Sequence, residues 1–133
     1  MKTLTSICVV TIAALAILNA PEALPISGTE QPTVNLDATH LLFIYYPRCH
    51  YDYPETVTLT NDGPGVLDIS RIAISNRDFS QTNTCGSTLA VGESCSITVT
   101  WNGESAGASL FITDNGVGSP QSVSLKGLCI SFK

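Results

Sequence analysis

The chain has 133 residues, which is enough for one domain and too few for two. Its formal net charge is −5 and only 13% of its residues are charged, which argues against nucleic acid and anionic membrane surfaces as partners, because both attract a basic face. Thr, Ser, Val, Ile and Gly are common whereas Lys, Glu and Arg are scarce, a composition that favours half-buried β-strands.

The chain begins with a predicted signal peptide. Lys2 supplies a positive charge, and residues 7–18 are apolar or small apart from one Thr. This run is too short for a bilayer, which takes about 20 residues, and it matches the apolar core of a secretory leader. We predict a hydrophobic signal helix in 1–23, a linker in 24–31 and one folded domain in 32–133. An uncleaved anchor is the alternative to cleavage.

The predicted signal peptide determines where the protein is expected in the cell. The protein is expected in the medium or the envelope of a bacterial cell, without membrane insertion once the leader is removed.

The first clear strand pattern lies at 56–60. Val57 and Leu59 share one face and three threonines occupy the other, which is the period of a strand with one wet face. The sequence at 61–65, NDGPG, predicts a turn after it.

The next predicted strand changes parity. Leu67 and Ile69 occupy odd-numbered positions. Ile72 and Ile74 occupy even-numbered positions. Because side chains alternate strictly along a strand, this change predicts a bulge or break near 70–71.

Later strands follow the same period. The cleanest alternation runs over 94–101 and ends at Trp101, which we interpret as a core residue. Further alternating runs lie at 110–112 and 123–125. Strands separated by turns at this spacing predict a β-sandwich or barrel.

Several stretches carry a resemblance to a known family. They are VTLTNDG at 57–63, LDI at 67–69, FSQTNTCG at 79–86, LAVGESCSITV at 89–99, AG at 106–107, ITDN at 112–115 and VSLKG at 123–127. In order and spacing they resemble the choice-of-anchor D domain, a bacterial relative of the ASPM–SPD-2–Hydin (ASH) domains. The resemblance implies an all-β fold, an immunoglobulin-like antiparallel β-sandwich of seven to eight strands. It also implies a structural or adhesive module of exported proteins, without catalytic residues or cofactors.

Cysteine usage agrees with export. Cys8 lies in the leader, and the remaining four are an even number, which in an oxidising compartment indicates two disulfides. Similar domains carry a pair that matches Cys85 and Cys95; two free thiols are the alternative. Cys49 and Cys129 then pair by exclusion, unless Cys49 links two molecules.

One segment has an unusual composition. All four tyrosines fall within 45–53, beside an arginine, and these residue types are enriched at binding interfaces. We predict that this aromatic segment contacts a protein or a glycan; packing over the end of the sandwich is the alternative. The candidate binding residues are Tyr45, Tyr46, Arg48, His50, Tyr51 and Tyr53.

Catalytic and metal motifs are missing from the sequence. It contains no G-x-S-x-G, phosphate-binding loop or HExxH, and His40 and His50 have no third ligand at a fixed spacing. We therefore predict no enzyme activity, no metal and no cofactor. The expected function is a structural or adhesion module acting through protein–protein contact. The alternatives are a small carbohydrate-binding module that uses 45–53, and self-association through an edge strand or Cys49.

Overall fold

The structure is a computed structural model, and it describes residues 30–45, 54–103 and 107–130. These residues form nine β-strands and no helix, which confirms the predicted all-β class. The strands are β1 Thr33–Leu36, β2 His40–Tyr45, β3 Glu55–Gly63, β4 Leu67–Ile74, β5 Phe79–Asn83, β6 Thr88–Leu89, β7 Ser94–Trp101, β8 Gly107–Asp114 and β9 Gln121–Cys129. The predicted signal helix lies outside the described residues.

The strands form two sheets. Sheet 1 has the order β1-β3-β7-β5, and sheet 2 has the order β2-β9-β8-β4-β6. Seven to eight strands were expected, and the described part of the chain has nine because β6, with two residues, is counted.

One strand pair departs from the antiparallel prediction. β2 pairs with β9 in parallel, whereas the other pairs are antiparallel. The reason lies in the short link after β1, residues 37–39, after which the chain leaves sheet 1 and enters sheet 2. β2 thereby lies beside the last strand and runs in the same direction.

A single core lies between the sheets. Leu59 and Ile97 of sheet 1 and Leu110 and Leu125 of sheet 2 belong to one cluster of buried side chains. β7 alternates buried and partly exposed residues along its length, as its period predicts. Burying each large aliphatic side chain stabilises the fold by roughly 1.5 to 3 kcal/mol.

The predicted bulge in β4 is confirmed. The register between β4 and β8 shifts between Ile69 and Arg71. The hydroxyl of Ser70, between them, donates to the carbonyl of Thr113 at 3.0 Å. The extra residue lets apolar side chains of both parities pack against the core, because it resets the alternation.

Aromatic side chains close one end of the core. The ring of Phe43 on β2 lies 5.5 Å from that of Phe79 on β5 and 6.5 Å from that of Trp101 on β7. Tyr45 stacks on Trp101 with ring centroids 4.8 Å apart and planes 11° apart. These contacts join the two sheets, and they confirm Trp101 as a core residue.

The predicted turn at 61–65 begins later than expected, because β3 continues to Gly63. Asn61 is fully buried within that strand. Its Nδ2 donates to the carbonyls of Gly65 and Leu89, both at 2.9 Å, and its Oδ1 accepts from the amide of Gly63 at 2.9 Å. The side chain thus supplies bonds that hold the following turn in place.

Candidate interaction surface

The backbone of β2 bonds to β9 on one side only. The amide of Ser124 donates to the carbonyl of Thr39 at 2.8 Å, and the amide of Ile130 donates to that of Tyr45 at 3.1 Å. In a parallel ladder, alternate residues of a strand direct both backbone groups at the same neighbour. The odd-numbered residues of β2 therefore face β9.

Within the described residues, the other side of β2 is an open edge of sheet 2. The amides and carbonyls of His40, Leu42 and Ile44 point towards it, since these residues alternate with those that bond to β9. β2 is the first strand of sheet 2, and no strand among residues 30–45, 54–103 and 107–130 pairs with this edge. Unpaired edge groups are a template for another strand.

The outer face beside this edge carries exposed apolar side chains, next to Lys126 of β9, which lies opposite Leu42. Leu42 is 48% exposed and Ile44 is 42% exposed. Leu128 of β9 is 38% exposed and lies opposite Ile44 in the register. We call Leu42, Ile44 and Leu128 the edge patch. Contiguous exposed apolar side chains mark protein contact sites.

The other three edge strands differ from β2. β6 has two residues and β1 has four, and short strands offer few groups for pairing. β5 has the sequence FSQTN, and its residues after Phe79 are polar. β2 has six residues, HLLFIY, without charge, proline or register shift, so it lacks the features that protect edges.

The outer face of sheet 1 provides a contrast. It carries hydroxyl side chains that bond across the strands. Thr56 and Thr98 are hydrogen-bonded at 3.2 Å, and Thr60 and Ser94 at 2.7 Å. Because these hydroxyl groups satisfy one another, this face is polar, and the exposed apolar side chains of the strands are on the other sheet.

The structure corrects the prediction for Tyr45. Its side chain is 2% exposed and stacks on Trp101, and its hydroxyl donates to the carbonyl of that residue at 3.1 Å. Tyr45 is therefore a core residue and not a contact residue, because side chains alternate along β2 and the odd-numbered ones point into the core. The other candidates lie outside the described residues; they are Tyr46, Arg48, His50, Tyr51 and Tyr53.

The disulfide predicted between Cys85 and Cys95 is confirmed. Their Cα atoms are 4.9 Å apart, and they close a loop between β5 and β7. Cys129 is also disulfide-bonded. Its partner lies outside the described residues, as does Cys49, so the pairing of Cys49 with Cys129 stays a prediction.

Neither a metal site nor a spanning helix is found in the described residues. In 30–45, 54–103 and 107–130, no three His, Cys, Asp or Glu side chains lie close enough together to hold an ion. Within the same ranges no helix has the length and apolar character needed to cross a bilayer. The Nδ1 atom of His40 lies 2.9 Å from the hydroxyl of Thr39.

The edge patch was not found by sequence reasoning. The signal was present in HLLFIY, because apolar residues of both parities in one strand mean that one set must lie outside the core. Leu128 gave no such signal, since its exposure depends on the sheet order.

The comparisons with known proteins concern the fold. No family model matches the chain, and no curated protein matches it. A protein of unknown function from Porphyromonas gingivalis W83 superposes with a TM-score of 0.64 at 15% identity, over 74% of this chain and 47% of that one. Two protease structures from Vibrio cholerae also match. VesB has a TM-score of 0.54 at 20% identity, over 74% and 31% of the two chains.

The secreted serine protease VesC, also from Vibrio cholerae, has a TM-score of 0.56 at 18% identity, over 76% of this chain and 24% of that one. The chain thus spans less than half the length of each of these three solved chains. At such identities the likeness establishes a shared all-β fold and nothing about activity.

Proposed function

We propose that this chain is a non-catalytic structural or adhesion module that acts through protein–protein contact. The observation that carries the proposal is the edge patch, in which three exposed apolar side chains lie beside the open edge of β2. The two features together suit a protein partner, since a polypeptide can occupy both the apolar face and the free backbone groups.

The strand order supports an immunoglobulin-like sandwich, the fold that the sequence resemblance implies. Such sandwiches pack a four-stranded ABED sheet against a sheet that contains C, F and G. β1-β3-β7-β5 corresponds to the first, and β9, β8 and β4 correspond to the second. The first two strands of the structure lie in different sheets, β1 in sheet 1 and β2 in sheet 2. The sequence resemblance to choice-of-anchor D and ASH domains implies the same fold, and membership of that type is part of this proposal.

The disulfides support export. Disulfides persist in oxidising compartments such as the periplasm and the extracellular medium. Cys85 pairs with Cys95, and Cys129 is bonded as well. With the predicted leader in 1–23, these bonds support a location in the cell envelope or outside the cell.

The alternative, a carbohydrate-binding module, loses one of its proposed contacts. It requires exposed aromatic rings in 45–53, and the ring of Tyr45 lies in the core. A glycan array probed with the purified protein tests what remains of that alternative.

Site-specific photo-crosslinking in the exporting cell tests the proposed function. A photoreactive amino acid replaces Leu42 in the edge patch, and in the matched control it replaces Thr82, which is exposed on the edge strand β5 of the other sheet. We expect a discrete crosslinked protein band from position 42 and none from position 82. Equal labelling from both positions, or no protein band from position 42, contradicts the proposal.

A further inference from the structure

We propose that the partner of the edge patch is a second copy of this chain, joined antiparallel through β2 with a two-fold axis at Leu42. This inference rests on the proposed function, because it takes the edge patch to be a protein contact, and it adds the identity of the partner. It follows from the register of β2, from the composition of its two faces and from the contrast with the other sheet edges.

The register makes the open edge of β2 self-complementary. Its free backbone groups belong to His40, Leu42 and Ile44, which are evenly spaced about the middle residue. In an antiparallel pair centred on Leu42, that residue faces Leu42 of the second copy, and His40 faces Ile44 of the second copy. Each facing pair exchanges two hydrogen bonds. Every free amide and carbonyl of the edge thereby gains a partner.

The side chains are compatible with the same arrangement. Facing residues of an antiparallel pair lie on the same face of the sheet, so Leu42 meets its own copy on the outer face. Ile44 and Leu128 lie to one side of this contact in each copy, and Lys126 lies beside Leu42 on β9. The two edge patches therefore meet at the axis as one apolar surface, which is bordered by the Lys126 of each copy. β2 carries no charged residue, so pairing brings no like charges opposite one another.

A second copy fits this edge better than an unrelated strand. A two-fold contact uses the same surface on both molecules, and it is the commonest form of association between identical chains. The edge of β2 meets that requirement, because His40 and Ile44 are equally spaced about Leu42. The three other sheet edges are shorter or polar, which leaves β2 as the edge of the described residues built for pairing.

Sedimentation velocity of the exported, oxidised protein tests the association. We expect a concentration-dependent species of twice the monomer mass. Leu42→Lys places two lysines against each other at the axis and abolishes this species. The matched control is Phe111→Lys, which changes a 39% exposed side chain of β8 on the same sheet, away from the edge. The control retains the dimer.

Cysteine crosslinking tests the register. Facing residues with exchanged hydrogen bonds have Cα atoms about 5.5 Å apart, within the roughly 4.4 to 6.8 Å of disulfides. Leu42→Cys therefore gives a covalent dimer on non-reducing electrophoresis. Ile44→Cys does not, because the two copies of that position are displaced by four residues, about 13 Å. The unchanged protein, with its native cysteines, is the control and remains non-covalent.

Three results overturn the inference: a monomer at every concentration, a dimer that survives Leu42→Lys, or a covalent dimer of the unchanged protein. These results differ from failure of the proposed function. If photo-crosslinking from position 42 captures a different protein while the purified chain is monomeric, the second copy is excluded and the contact function stands. If position 42 captures no protein, the contact function itself fails.

Discussion

Replacing Gly127 with alanine is predicted to destabilise the protein by driving a methyl group into the aromatic end of the core. Gly127 lies on β9 opposite Phe43 of β2, and it is buried. A Cβ built on it overlaps the indole ring of Trp101. That ring cannot retreat freely, because it stacks on Tyr45 and lies 6.1 Å from the ring of Phe79.

The magnitude follows from these neighbours. Overpacking a dense core costs roughly 1 to 3 kcal/mol, and complete loss of a buried aromatic side chain costs about 3 to 5 kcal/mol. Since Trp101 must move while its partners are fixed by both sheets, we expect Gly127→Ala to lower the free energy of unfolding by about 3 kcal/mol. In a domain of this size that corresponds to a fall in Tm of roughly 12 to 24 °C.

The matched control is Gly107→Ala on the neighbouring strand β8. Its added Cβ meets only the carbonyl oxygen of Leu125, at an ordinary 3.6 Å. We expect a change of less than about 1 kcal/mol, because the unfolded chain also loses freedom when glycine becomes alanine. Trp101 is the single tryptophan of the chain, so its fluorescence during urea titration reports both variants. Equal midpoints for the two variants would refute the packing described here.

The remaining predictions concern polar groups and disulfides. Asn61→Ala leaves the buried Leu89 carbonyl and the buried Gly63 amide without their side-chain partner, and it also removes the partner of the part-buried Gly65 carbonyl. It is expected to cost about 2 to 6 kcal/mol, at roughly 1 to 3 for each of the two buried groups; a loss below about 1 kcal/mol in urea titration would contradict this role. Replacing Cys85 and Cys95 together with serine opens a loop with a sequence separation of 10 and is expected to lower the unfolding free energy by about 2 to 3 kcal/mol. Cys49→Ser is expected to leave one alkylatable thiol, at Cys129, by peptide mass mapping; an unchanged disulfide at Cys129 would exclude the predicted pair.

Much of the fold could be predicted from the sequence for strands that have one buried face and one solvent-exposed face. In β3 and β7 the apolar residues fall on a single parity, so Val57 and Ile97 could be assigned to the core from spacing alone. The bulge in β4 was predictable because Ile69 and Ile72 cannot share a face without an inserted residue.

The candidate site was harder to predict because its signal is not local. β2 is apolar on both faces, so alternation could not say that Tyr45 lies inside and Ile44 outside. The parallel partner of β2 is β9, at the far end of the chain. Edge position depends on the order of strands in the sheet, and that order is a property of the whole fold rather than of any one segment.

Amide hydrogen exchange within β2 tests most directly the central claim that its edge pairs with a second copy of this chain. Neighbouring residues provide the control, since the amides of Leu41 and Phe43 bond to β9 while those of Leu42 and Ile44 face the edge. In concentrated protein we expect all four amides to be protected, and on dilution we expect only Leu42 and Ile44 to lose protection. Rapid exchange at Leu42 and Ile44 in concentrated protein would contradict the claim, as would protection of those amides that dilution leaves unchanged.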